Sequence, residues 1–304
     1  MVVIAFSRSA GSRSPRLLWK WEHDMMSDAV SFVAFSPDHL DAATRLSRQA
    51  GWPHRREDWQ MALALSKGRV AVAADARVIG TALMTPYGSE AGTINMVIVD
   101  EAERGQGLGR QLMREVLTLA GDRRLQLVAT ADGLPLYEKL GFARTTEIVQ
   151  HQGQLTQAVT RSDAVRAATA DDITAITAID AAAFGAERSD LVAHLASVGE
   201  FAVLERQAQA AGFAALRRFG RGLVIGPVVA FDLDDAKALV GHFLAGRENE
   251  FIRVDTGIET GLAPWLMSLG LAHVGGGIVM HRPAANDSTP QPPTSFALAS
   301  QAFG

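Results

Sequence analysis

Apolar residues recur along this chain at two periods, and the switches between the periods mark out its elements. Over residues 105–120, Leu108, Leu112, Met113, Val116, Leu117 and Ala120 lie along one face of a helix, with Gly121 as its stop signal. Ahead of that helix, residues 69–74 and 77–85 are rich in β-forming residues and are joined at Asp75-Ala76, the shape of a hairpin. Residues 93–99 read as a further strand. Helices are predicted over 37–50 and 54–65, a strand over 125–129, a short helix over 134–140 and a pair of strands from Phe142 onward.

The second half repeats this order. A strand at 164–168 leads to a helix at 171–184, with Asp171 placed as its cap. A helix near Leu191, a hairpin over 201–217, a strand at 223–229 and a helix at 234–244 follow. A strand at 251–255, a short helix near Trp265 and a closing strand at 276–281 complete the repeat. The clearest echo sets PLYEKLGF, from Pro135 to Phe142, against PWLMSLGL, from Pro264 to Leu271. A duplicated α/β (α+β) unit accounts for the pattern, each copy a mixed, mostly antiparallel sheet flanked by helices.

Length agrees, since 304 residues is about twice a typical domain of ~150. The predicted organisation is a disordered extension over 1–26, one domain over 27–160, a second over 161–283 and a disordered tail over 284–304. The extension carries SRSAGSRSP, basic and turn-rich, upstream of Met25 and Met26; its Arg and Ser content also leaves a transit peptide open. The tail is assigned from Pro290, Pro292 and Pro293 among Ser, Thr and Gln.

Charge and composition remove several classes of function. Lys plus Arg number 29 against 33 Asp plus Glu, a net charge of −4, so no global basic field favours nucleic acid. The chain has no cysteine, which excludes disulfides, thiolate metal sites and a Cys nucleophile and fits a cytoplasmic location. Its eight histidines are scattered, so no metal is expected. No apolar run approaches the ~20 residues that span a bilayer.

The stretch that carries chemistry is Ile94 to Met113. A strand ends at Val99, a loop carries Arg104-Gly105-Gln106-Gly107-Leu108-Gly109, and a helix begins inside the glycines. Glycine lets backbone approach a ligand closely, and a helix start offers unpaired N–H groups at its positive dipole end. That combination is a cradle for a pyrophosphate. The spacing is not that of a dinucleotide fold, there is no acidic residue about 20 positions on, and no G-K-S/T follows, so neither a Rossmann site nor a P-loop is indicated.

These residues resemble the GCN5-related N-acetyltransferase (GNAT) family. Arg104 to Gly109 is similar to the family's R-x-x-G-x-G/A loop, and Leu136-Tyr137-Glu138-Lys139-Leu140-Gly141-Phe142 to its L-Y-x-x-x-G-F segment. The resemblance covers residues 31–150 well and 164–281 by element order. It implies an enzyme that moves an acetyl group from acetyl-CoA directly to a primary amine of a small molecule or protein. A non-catalytic acyl-CoA sensor is the alternative, and a homodimer is compatible with either. The resemblance places backbone of Val97, Ile98 and Val99 along the pantetheine arm. It places Arg104, Gly105, Gln106, Gly107, Leu108, Gly109 and Arg110 around the pyrophosphate, and Tyr137 near the sulfur as general acid. His54, Glu57 and Asp58, between the first two helices, and Asn95 on the strand are candidates on the acceptor side. Two positions depart from the family's habit: Glu101 stands where Pro is common and Thr130 where Asn is common.

In the second copy, Phe231-Asp232-Leu233-Asp234-Asp235-Ala236 falls where the glycine loop should be, and Leu266 where Tyr137 should be. Three carboxylates repel phosphate. The expectation is one donor site per chain, with the second copy degenerate.

Overall fold

A computed structural model describes residues 30–283 and 293–304, so the expected extension over 1–26 lies outside the described residues. The first repeat runs β1 (Ser31–Ala34), α1 (Leu40–Gln49), α2 (Arg56–Leu65), β2 (Lys67–Val72), β3 (Val78–Tyr87), β4 (Ala91–Val99), α3 (Leu108–Ala120), β5 (Arg124–Ala129), α4 (Leu134–Lys139) and β6 (Ala143–Gly153). The second runs β7 (Val165–Ala167), α5 (Ile173–Phe184), α6 (Ser189–Val198), β8 (Gly199–Arg206), β9 (Gln209–Phe219), β10 (Gly222–Ala230), α7 (Leu233–Leu244), β11 (Ile252–Gly257), α8 (Leu262–Ser268) and β12 (Ala272–Arg282), and a thirteenth strand, β13 (Thr294–Ala297), follows. The duplicated, mostly antiparallel architecture expected from the periodicity is present.

Alternation along the strands sends helices to both faces of the sheet. Ala71, Ile79 and Met84 pack with Leu112, Met113 and Val116 of α3. Their neighbours Val70, Val78 and Leu83 pack with Leu46 of α1 and Trp59 of α2. That second core is shared, because Ile176 of α5, Leu191 and Leu195 of α6 and Phe213 of β9 belong to the same cluster. The α7 helix buries Leu239, Val240, Phe243 and Leu244 against the sheet of its own repeat.

The two repeats exchange their last strands. The expected strand pair after Phe142 is one strand, β6, and it does not return beside β5. Instead β12 of the second repeat pairs with β5, from Ile278↔Ala129 to Arg282↔Leu125. In return β6 pairs with β11, from Ile252↔Gly153 to Gly257↔Ile148. With β6 and β12 also paired to each other, one sheet runs in the order β1-β2-β3-β4-β5-β12-β6-β11-β13-β10-β9-β8-β7. A boundary at residue 160 follows the connection between repeats, but the sheet interlocks across it.

The expected disordered tail is corrected in its last part. Residues 293–304 are built into the core, with Phe296, Ala297, Ala299 and Phe303 buried, while 284–292 lie outside the described residues. β13 lies between β10 and β11, paired through Val228↔Ala297 and Ala230↔Thr294 on one side and Thr256↔Ala297 on the other. Strand β1, absent from the sequence reading, is a four-residue edge strand against β2.

Glycine is required where the exchanged strands meet. A Cβ on Gly276 would lie 1.8 Å from the carbonyl oxygen of Ile148 on β6. Backbone cannot yield there without breaking the ladder. Gly276→Ala is therefore expected to destabilise the protein by about 3 kcal/mol, read as a lower urea midpoint; an unchanged midpoint would show that β6 and β12 are not so tightly joined.

Candidate active site

Parallel strands β4 and β5 pair only from Ala91↔Arg124 to Thr93↔Gln126 and then diverge. Beyond Thr93 the β5-facing edge of β4 has no ladder partner among the described residues. The strand is also bulged there. Leu83 faces Asn95 and Thr81 faces Ile98, so Met96 and Val97 together oppose Ala82. Met96 takes a φ of +51°, uncommon for a residue with a side chain, and the Thr81 hydroxyl donates to its carbonyl at 2.7 Å. The bulge interrupts the β3 ladder and turns backbone toward the cleft. Ile98 sends its side chain into the α1/α2 core, leaving only its backbone to the cleft side.

At the end of β4, residues 100–107 form the loop into α3. Asp100 anchors it, accepting from the Ala102 N–H at 3.1 Å and from Arg45 at 3.2 Å, while Arg45 also donates to the Val78 carbonyl at 2.8 Å. Arg104 donates back to the carbonyl of Val99 at 3.3 Å. Gly105 and Gly107 have φ of +82° and +80°, and open space lies where their side chains would be. The N–H groups of Gly105, Gln106, Gly107, Leu108 and Gly109 find no acceptor among the described residues. A row of unsatisfied N–H groups at a helix start fits a diphosphate, and the open space admits it.

Tyr137 closes the cleft from α4. It is buried, and its ring lies edge-on to Phe142 with centroids 6.2 Å apart. A Cβ at Gly133 would come within 2.7 Å of that ring, so the glycine makes room for it. Burial pushes the phenol up to about 12, and its hydroxyl makes no hydrogen bond among the described residues.

Cleft and acceptor side form one cavity of about 380 Å³. Ile94 to Val97, Leu127, Val128, Thr130 and Tyr137 line one part. His54 with Trp52, Gln150 and Gln152 of β6, and Phe219, Arg221, Arg253 and Ser300 to Ala302 of the second repeat line the rest. Two polar atoms in this wall are buried without partners, His54 Nδ1 and Asn95 Oδ1. The Asn95 amide nitrogen is spent on Thr85 at 2.9 Å, which leaves its oxygen free. Burial lowers the pKa of His54 to about 4, against the opposing pull of Asp58.

The other sequence candidates are placed differently. Glu57 is exposed on α2 and does not line the cavity; it faces a shallow depression beside it. Asp58 caps α2 by accepting from the Arg55 N–H and guanidinium at 2.8 Å, and it also accepts from the Gly220 N–H at 3.1 Å. Burial raises its pKa, but these hydrogen bonds hold it below the usual carboxylate range. It is a clamp between the repeats. The second-repeat wall had no local signal, because its residues meet the cavity only through the folded sheet.

The second repeat has the same splay and a different filling. β10 and β11 pair only at Leu223↔Ile252 and Val224↔Arg253, and β13 enters the gap between them. The link from β10 to α7 is only Phe231 and Asp232, where the first repeat has residues 100–107. The glycine loop is thus deleted rather than replaced by six aligned residues. Asp232 caps α7 through the Asp235 N–H at 2.9 Å, and Leu266 is buried in the place of Tyr137.

Among the described residues, no helix is long and apolar enough to cross a membrane. Residues 66–144 and residues 176–292 each match the acetyltransferase (GNAT) domain family. The uncharacterized N-acetyltransferase YitH of Bacillus subtilis (strain 168) is 30% identical over 248 residues, covering 78% of this chain and 86% of that protein. A crystal structure assigned as an acetyltransferase from Pyrococcus horikoshii shares the fold at a TM-score of 0.73 and 18% identity, covering 90% of this chain and 96% of its own. A tandem GNAT protein from the clavulanic acid biosynthesis pathway does so at 0.59 and 12%, over 86% and 100%. The two domain matches follow the structural repeat, and the relative spans both, so the chain belongs to the GCN5-related N-acetyltransferase family as a tandem acetyltransferase.

Proposed function

We propose that the first repeat transfers an acetyl group from acetyl-CoA directly to a primary amine. The observation that carries this reading is an asymmetry. Among the described residues, only the first splay is open, along β4, and only it ends in a loop of unsatisfied N–H groups. The reading puts the pantetheine arm along the backbone of Val97, Ile98 and Val99, and the pyrophosphate against residues 104–110 with Arg104 and Arg110 beside it. The thioester then lies near the bulge at Met96 and Val97, where a backbone N–H supports the carbonyl oxygen as it gains charge.

The amine nitrogen attacks the acetyl carbon, the C–N bond forms and the C–S bond breaks. The leaving thiolate, of parent pKa about 8.5, takes the Tyr137 proton. With its pKa pushed up to about 12, Tyr137 is protonated and able to donate at any working pH; because the thiolate is the weaker base, the transfer is completed only as the phenolate is reprotonated. The proton shed by the amine returns to the phenolate through solvent. The pKa of His54, about 4, makes it too weak a base to deprotonate an ammonium of pKa about 10. His54 serves instead as part of the cavity wall, beside Asn95, that receives an amine arriving neutral.

Three outcomes test this. Tyr137→Phe is expected to lower kcat by ~10²–10⁴-fold with acetyl-CoA affinity within about twofold in calorimetry; wild-type turnover would reduce Tyr137 to packing. Wild-type protein should titrate with one acetyl-CoA per chain, because β13 fills the second splay, and Gly107→Glu should abolish binding with the circular dichroism unchanged. Two equivalent sites would overturn the assignment. Finally, His54 stays neutral above about pH 5, so kcat/KM should climb with pH toward the amine's own pKa without an inflection near 6.5. His54→Gln should lower that curve without shifting it; a curve whose midpoint moved would make His54 the base.

A further inference from the structure

At its acceptor end the cavity continues past Gly51, Pro53 and His54 into a shallow depression. Arg48, Arg55, Arg56 and Arg221 line this mouth, with Glu57 as its one carboxylate among the described residues. Two of the four guanidiniums are committed: Arg55 to Asp58 at 2.8 Å and Arg56 to Asp41 at 2.9 Å. Arg48 and Arg221 are exposed and have no carboxylate within ion-pair distance among the described residues. Two more guanidiniums are near, Arg253 in the wall and Arg217 behind it. Arg253 is forked onto Asp255 at 2.7 Å, but buried Arg217 has only Asp58, 4.0 Å away and already held by Arg55. Cations outnumber anions here, in a chain whose net charge is −4.

This local field has chemical consequences. A positive surrounding lowers the pKa of an incoming ammonium and so favours the neutral amine that attacks. The same field repels an acceptor that carries only positive charge. Arg217 registers it: burial first, then Arg253 and Arg55, bring its pKa down to about 10 despite Asp58. An acceptor with an anionic group restores the balance, provided that group sits at the mouth while the amine reaches the part of the cavity lined by His54 and Asn95.

We propose that the acceptor is an amine that also carries an anionic group, a carboxylate or a phosphate, held at the cavity mouth by Arg48 and Arg221. The assignment rests on the acetyl-transfer reading and narrows its acceptor. Guanidinium is suited to it, because its planar fork meets either oxyanion with paired hydrogen bonds.

The test measures free-thiol release from acetyl-CoA by the full chain with matched probes: 4-aminobutyrate against n-butylamine, O-phosphoethanolamine against ethanolamine, and putrescine as the dication. The anionic member of at least one pair is expected to exceed its partner about tenfold in kcat/KM, and putrescine to be the poorest acceptor. Whichever pair shows the larger ratio identifies carboxylate or phosphate as the recognised group. The ratio should shrink as salt rises and screens the mouth. Arg48→Gln with Arg221→Gln should bring it close to one, and Arg48→Lys with Arg221→Lys should retain part of it. Equal turnover across all probes, or none, while acetyl-CoA still binds overturns the anionic acceptor, as does a preference that survives the double Gln variant. Loss of acetyl-CoA binding in the wild-type protein would overturn the donor reading instead.

Discussion

The antiparallel ladder between β6 and β12 is the contact on which the rest of the molecule depends. Each is the last regular strand of its repeat, and each is held on its other side by the opposite repeat, β12 by β5 and β6 by β11. Neither repeat alone can therefore satisfy its own sheet. Without β12, β5 would expose a row of unpaired backbone groups, the edge that folded proteins avoid. The consequence for the site is direct. β5 forms one wall of the cleft beside β4, and the strand that keeps it in place belongs to the repeat without a glycine loop. The two sequence halves are therefore not separable bodies.

The same geometric problem arises in both repeats and is solved twice. A parallel pair that separates after two or three residues leaves main-chain donors and acceptors facing each other across a gap too wide for a hydrogen bond. In the second repeat β13 fills that gap, and Leu298 continues the pairing by donating to the Asp255 carbonyl at 2.9 Å. The fit is close enough that a Cβ on Gly226 would lie 1.9 Å from the carbonyl oxygen of Leu298. In the first repeat no segment among the described residues does this. The first gap thus leaves the β5-facing edge of β4 unpaired among the described residues, and β13 shows in the same molecule how an extended segment fills such a gap.

The sequence disclosed what is encoded locally. Helix α3 announces itself through the spacing of Leu108, Leu112, Met113 and Val116, and the phosphate loop through glycines whose left-handed φ the structure requires. Strand exchange is not local: the periodicity of residues 272–282 says that a strand forms, not that its partner lies about 150 residues earlier at β5. The burial of the tail is hidden from the sequence for a related reason. Its alternation spans only Ser295 to Ala299, next to prolines that dominate the composition, and its burial depends on a gap no window of sequence can display. Asp58 read equally well as a cap or an acceptor-side group, and the structure uses it as a cap that also reaches Gly220 of the other repeat.

Where the tail leaves the second splay decides what the first repeat can admit. Arg188, fully buried, pairs with Asp180 at 2.6 Å and donates to the carbonyls of Phe303 and Gly304 at 3.1 and 2.9 Å, while Tyr87 of the first repeat donates to Phe303 at 2.6 Å. Such a buried pair is costly to desolvate, and here its remaining donors are met by the segment it holds. Between that anchor and β13 the chain has little freedom, and Arg217 fixes it again through the Ala299 carbonyl at 3.2 Å. Ser300, Gln301 and Ala302 are the residues held between those anchors, and they line the cavity beside His54 and Gln150. The segment that fills the second splay is in this way the same piece of chain that shapes one wall of the first repeat's cavity. An occupant in place of β13 would displace that wall, so a filled second splay and a formed cavity in the first repeat are one structural condition.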